Sequence, residues 1–189
     1  ADWIGPDGRK LVLTDGDTAM MTVGAYAPTS LPVVGIPYRA WNETTRQMED
    51  RECVDYEIVT TDTQSFEDGK WYAVTGTVSR SRITVNGSAH LILCDGAKLT
   101  AAGADYEAGV DIRGENSLSI YGQVGGTGAI VANGGKHGAG IGSGSTRVAA
   151  GTVTINGGMV TATGGDRGAG IGGGWGSSCG LVTINGGEV

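Results

Sequence analysis

Gly151-Thr-Val-Thr-Ile-Asn-Gly-Gly-Met-Val160 returns 29 residues later as Gly180-Leu-Val-Thr-Ile-Asn-Gly-Gly-Glu-Val189. Between the two copies lies Gly168-Ala-Gly-Ile-Gly-Gly-Gly174, and its twin, Gly138-Ala-Gly-Ile-Gly-Ser-Gly144, sits 30 residues earlier. Short alternating apolar runs that recur with a period near 30 predict a stacked solenoid. One such unit cannot bury its apolar face alone, whereas a neighbour of the same shape covers it.

Working outward from this repeat, the chain aligns in three columns from His90 onward. The first holds His90–Leu93, Ser117–Ile120, Thr152–Ile155 and Leu181–Ile184. The second holds Lys98–Ala101, Ala129–Ala132, Met159–Ala162 and Glu188–Val189. The third holds Ala108–Val110, Ala139–Ile141 and Ala169–Ile171. The period of two within a strand assigns the inward side chains, and like residues then stack on like, Leu91 on Leu118 and Leu93 on Ile120. The fold class expected is all-β: a parallel β-helix solenoid with three short strands per coil of about 30 residues. Asn156-Gly157 and Asn185-Gly186 mark equivalent corners at which a positive φ is expected.

Residues 1–52 carry no repeat and read as a small β-rich lead-in. A hairpin is expected from Leu11–Thr14 through Asp15-Gly16 to Ala19–Val23, and a second from Ile36–Trp41 to Thr45–Met48 around Asn42-Glu43-Thr44. Residues 53–189 read as the β-helix, with cap and first coil at 53–88. Val54, Tyr56 and Ile58 are expected on one face of the strand Cys53–Val59. The chain stops in mid-coil at Val189, so a C-terminally truncated helix is expected, with its open coil a surface for self-association.

Composition agrees with a thin-cored solenoid. Glycine makes up 36 of 189 residues, far above the usual share of about 7%, without the triplet spacing of collagen. A net charge of −7 argues against nucleic acid or an anionic membrane as partner, and no stretch is apolar enough to insert in a bilayer. Cys53, Cys94 and Cys179 form no CxxC pair, and the later coils lack the spaced aspartates of calcium-binding rolls, so no metal site and no cofactor are expected. Three unpaired thiols are the reading preferred over a Cys53–Cys94 disulfide.

The run Trp71-Tyr-Ala-Val74, Ile83-Thr-Val85, His90-Leu-Ile-Leu-Cys-Asp-Gly-Ala-Lys-Leu-Thr-Ala101 and Ser117-Leu-Ser-Ile-Tyr-Gly122, followed by the Gly-Ala-Gly-Ile-Gly repeats, resembles a known group. It is similar to the right-handed parallel β-helix modules, pectate-lyase-like in architecture, of large bacterial cell-surface proteins. The resemblance covers Val54 to Val189. It implies a right-handed helix, an extracellular or cell-surface location, and a non-catalytic role in adhesion with a polysaccharide or a host or bacterial surface glycan as partner. A β-helical polysaccharide lyase or glycoside hydrolase and a passive structural stalk are the alternatives, since fold alone does not select among them.

Candidate site residues lie on the outer faces and corners. The corner before column three presents Asp105-Tyr106-Glu107, then Lys136-His137, then Asp166-Arg167, and stacking brings these into one strip. Trp175, in the glycine-rich turn after column three, is the best single residue for stacking on a sugar ring. Trp175, His137, Lys136, Arg167 and Asp166 are therefore the expected ligand-binding residues. Were the chain an enzyme, Asp111, Arg113, Asp105 and Glu107 would carry the chemistry, because β-helical lyases and hydrolases need carboxylates beside a cation. Column three turns Gly140, Gly142, Gly170 and Gly172 outward, where bare backbone admits close approach by a flat body. The Ser/Thr row Ser117/Ser119, Thr152/Thr154 and Thr183 in column one reads as ordinary strand preference ahead of an ice-binding face.

Overall fold

The computed structural model describes residues 34–145 and 147–189, together with two short strands of the first 33 residues. The chain divides into two compact units, residues 1–33 and 34–189. In the first, β1 (Trp3–Ile4) pairs antiparallel with β2 (Lys10–Leu11), Trp3 opposite Leu11. The hairpin expected around Asp15-Gly16 lies, beyond Leu11, outside the described residues.

The second unit opens with the expected hairpin, β3 (Ile36–Asn42) and β4 (Gln47–Cys53), in antiparallel register from Ile36 opposite Cys53 to Asn42 opposite Gln47. Its turn is closed by Asn42, whose Oδ1 accepts from the amides of Thr44 at 2.8 Å and Thr45 at 3.1 Å. Such local bonding is why asparagine favours turns.

The coils follow in order. A partial coil holds β5 (Glu57–Ile58) and β6 (Ser65–Phe66). Then come β7 (Trp71–Val74), β8 (Thr77–Ser81) and β9 (Ile83–Val85); β10 (Ser88–Leu93), β11 (Lys98–Ala102) and β12 (Val110–Asp111); β13 (Ser117–Gly122), β14 (Ala129–Asn133) and β15 (Ile141–Gly142); β16 (Thr152–Ile155), β17 (Met159–Thr163) and β18 (Ile171–Gly172); and finally β19 (Val182–Ile184). They stack as three parallel sheets, β19-β16-β13-β10-β7-β5, β17-β14-β11-β8 and β18-β15-β12-β9-β6. This is the all-β, right-handed parallel β-helix expected, the hand being that of parallel crossovers generally.

Columns two and three stack in the expected register, Leu99 beside Ile130 and Ile130 beside Val160, Val110 beside Ile141 and Ile141 beside Ile171. Column one does not at its first step. Ala89, not Leu91, stands beside Leu118, and Leu91 stands beside Ile120. The two-residue difference is absorbed at the next corner, which is longer after Gly122 than after Leu93. Asp95 holds that longer corner by accepting from the amides of Gly125 at 2.9 Å and Thr127 at 3.0 Å. An even shift leaves each side chain on its own face, so Leu91, Leu93, Leu118 and Ile120 are all inward and fully buried. At the Asn-Gly corners the positive φ falls one residue later than expected, on Gly158 at 83° and Gly187 at 91°.

The interior is a single stack of side chains, closed toward the first coil by Phe66 and Tyr72 with ring centroids 4.4 Å apart. Val54 and Ile58 are not part of it. Both are more than half exposed, and the residue after Cys53 that is buried in the stack is Val59. The chain turns at Cys53 into a bend, which breaks the alternation.

A second apolar cluster lies outside the helix. The hairpin residues Tyr38, Ala40 and Cys53 pack with Ile92 and Tyr121, and with Trp71 at their edge. Ile92 faces outward in register yet is fully buried, because the hairpin covers it. His90 stacks on Trp71 at 4.3 Å with ring planes 16° apart, and its Nδ1 lies 3.3 Å from the Tyr121 hydroxyl. All three cysteines are free, and burial pushes the thiols of Cys53 and Cys94 up, away from the reactive thiolate.

Burial lowers the pKa of His90 from 6.5. The unfolded chain takes up a proton on this ring near its ordinary pKa of about 6.5, while the native ring resists until lower pH. Native stability is therefore expected to fall as pH drops from the unfolded pKa toward the folded one, and to fall no further on this account below it. Denaturant midpoints of the wild type and His90→Gln across that range check this, the variant showing the shallower decline.

Candidate functional site

The loops before and after column three are knitted across coils by backbone hydrogen bonds. Ser145 N donates to Tyr106 O at 2.9 Å, and Trp175 N donates to His137 O at 2.8 Å. Each loop following column three is thus pinned to the preceding corner of the coil before it. The side chains join the same lacing, Ser145 Oγ donating to Trp175 O at 3.1 Å and Ser177 Oγ to Gly144 O at 3.1 Å.

This lacing builds a row of rings. Tyr106 and His137 have centroids 5.0 Å apart, and His137 and Trp175 have centroids 5.2 Å apart. The Arg167 guanidinium sits 5.2 Å from the Trp175 ring centre, the geometry of a cation–π contact. Tyr106 and Trp175 are each about half exposed, at 51% and 50%, while His137 between them is buried. The His137 Nδ1 has no partner among the described residues. Lys136 and Asp166 are exposed at the same corner. The structure therefore gathers His137, Trp175 and Arg167 into direct contact and adds Tyr106, which sequence reasoning placed on the strip without a binding role. Tyr106 adopts φ of 68°, a conformation no local pattern in the sequence announces.

The charged candidates near Asp111 form a separate group. Asp111 is the outward residue of column three in its coil, in register with Thr84 and Gly142. Its carboxylate is 3% exposed and both oxygens are held by Arg113, Nε to Oδ1 at 2.7 Å and Nη2 to Oδ2 at 2.6 Å. Arg82 lies 3.5 Å from Asp111 and 3.1 Å from Glu107. Asp111, Arg113 and Glu107 are thus linked through Arg82, while Asp105 is exposed on its turn. Arg82 was missed because Ile83–Val85, within the cap and first coil, was not assigned to a column. Placed in column three, that strand sets Arg82 one coil from Asp111. A polar recess of about 240 Å³ adjoins the group, with Asn86 and Asn116 in its walls.

The outward glycines of column three are not a bare strip. Gly140 and Gly142 are buried, and the space a Cβ would take at Gly140 is already filled by backbone of Ala132, Thr163 and Gly170. The body that approaches closely is the chain itself.

A family model described as a beta helix repeat matches residues 153–175, one coil from column one through the turn that ends at Trp175. No curated protein and no solved structure matches the chain. The chain is a parallel β-helix repeat module.

Proposed function

We propose that this β-helix is a non-catalytic carbohydrate-binding module, secreted or displayed at a cell surface, that holds a glycan in adhesion along the corner of Tyr106, His137 and Trp175. The observation that carries the reading is the aromatic row itself. Two half-exposed rings flank a buried imidazole, one step per coil, with a guanidinium against the indole. An exposed indole presents a flat apolar face with a polar edge, which suits the CH-lined face of a sugar ring. Lys136, Asp166 and Arg167 supply donors and acceptors for hydroxyls around that platform. Coils succeed one another at about 4.8 Å, so a linear polymer lying along the helix axis meets a new set of side chains at each step.

The test is retention on a panel of plant, host and bacterial polysaccharides, with the supernatant assayed for new oligosaccharides. Retention without products is expected. Trp175→Ala should weaken it about tenfold or more, the loss typical of a buried aromatic anchor at a binding site. Equal retention of variant and wild type would remove Trp175 from the site. Products released from any polymer would move the reading to a lyase or hydrolase, which the recess beside Asp111 and Arg113 supports. No retention on any polymer would leave the stalk.

A further inference from the structure

A second cavity lies far along the chain from the corner row, between the end of the hairpin and the first coils. It has a volume of about 460 Å³, within the range of small-ligand sites. Tyr38 enters its wall from β3, Tyr56 from the segment after the hairpin, and Trp71 from β7. Tyr38 and Trp71 are packed at 4.9 Å with planes 50° apart, so their rings meet at an angle. His90 stacks on Trp71 but is not part of the cavity wall. The indole is thereby held rigid.

The rim is acidic. Glu52, Asp55 and Glu57 line it, against the single ammonium of Lys70. Lys70 Nζ lies 2.9 Å from Glu57 Oε1, and Arg51, beside the Tyr38 hydroxyl, is paired with Glu49 at 3.4 Å, so both cations are matched and the charges of Glu52 and Asp55 remain in excess. The backbone carbonyl of Asp55 is occupied by the Cys53 thiol at 3.4 Å, which fixes the bend that carries its side chain. Aromatic walls with uncompensated carboxylates at the mouth select a cation that is partly apolar. The ring faces attract positive charge, and the carboxylates supply the counter-charge.

We propose that this cavity binds an organic ammonium group, with Tyr38, Tyr56 and Trp71 against its carbon-bearing faces and Glu52 and Asp55 as counter-ions. The site is independent of the corner row. Two sources present this chemistry, a quaternary ammonium head group and the free amine of an amino sugar.

The experiment titrates the full chain at low salt with choline and with glucosamine. Each is compared with its uncharged counterpart, 3,3-dimethylbutanol and N-acetylglucosamine, and binding is followed by calorimetry. At least one cation should bind about tenfold or more tightly than its neutral counterpart, and Asp55→Asn and Tyr56→Ala should each weaken it several-fold. Asp55 is exposed, whereas Tyr56 packs at the edge of the hairpin cluster, so Asp55→Asn tests binding apart from folding and the melting temperature of Tyr56→Ala is measured beside its affinity. Preference for choline identifies the quaternary group, and preference for glucosamine the amino sugar. Trp175→Ala should leave this binding unchanged. The proposal is overturned if neither cation binds, if the neutral counterparts bind equally, or if neither substitution weakens the complex.

Discussion

Gly142→Ala is expected to destabilise the β-helix by about 4 kcal/mol, from the sum of a backbone strain and a steric overlap of a few kcal/mol each. Gly142 has φ of 136°, a region that side chains of L-residues rarely enter. The methyl group would also fall on the carbonyl oxygen of Gly172 in the next coil. That oxygen cannot swing aside, because it accepts the Ser143 amide at 3.0 Å. Relief requires parting two coils, which breaks the ladder of column three. Gly76→Ala is the control. A Cβ there meets nothing within 4 Å and the backbone φ is ordinary, so its effect should stay within about 0.5 kcal/mol. Urea midpoints of the two variants decide the matter. Equal stability would mean that successive strands of column three are not stacked as described.

Asp111→Asn should cost about 2–3 kcal/mol, less than the 3–5 typical of breaking a fully buried pair. The carboxylate is 3% exposed and bridges two arginines, so its replacement leaves two guanidinium groups beside a neutral amide. The arginine side chains are 34% and 35% exposed, and the water that reaches them softens the loss. A double-mutant cycle with Arg113→Gln should show coupling of about 1–3 kcal/mol, because the two residues share both hydrogen bonds. The same variant separates the functional readings. If the corner row binds glycan without catalysis, Asp111→Asn lowers the melting temperature and leaves retention on a polymer at the wild-type level. Product formation abolished by this substitution would instead assign the carboxylate to catalysis.

Much of the molecule is readable from the repeat. The three columns, the inward residues of each strand and the register of columns two and three follow from alternation and from like stacking on like. These are local properties repeated at a fixed period, and a strand cannot slip by one residue without turning its apolar side outward. The slip of two at Ser88–Leu93 escaped detection for the same reason, since it preserves the inward face. What corrected it was a corner held by Asp95, a hydrogen-bonding arrangement between residues 30 and 32 positions apart.

The period, the strand faces and the residues available at each corner were determined by the sequence alone, because they depend on spacing along the chain. Tertiary structure decided which of those residues meet. It laid the hairpin over Ile92 and made an outward position part of a core. It brought Arg82 onto Asp111 and Glu107, and it set Trp175 against His137 by pinning one loop to the corner of the preceding coil. The hairpin and the pinned loop join segments whose separation is not one repeat, while Arg82 and Asp111 stand one repeat apart but are residues that the other coils do not share. The energy that selects them comes from burial and hydrogen bonding between unlike surfaces, which no periodicity encodes.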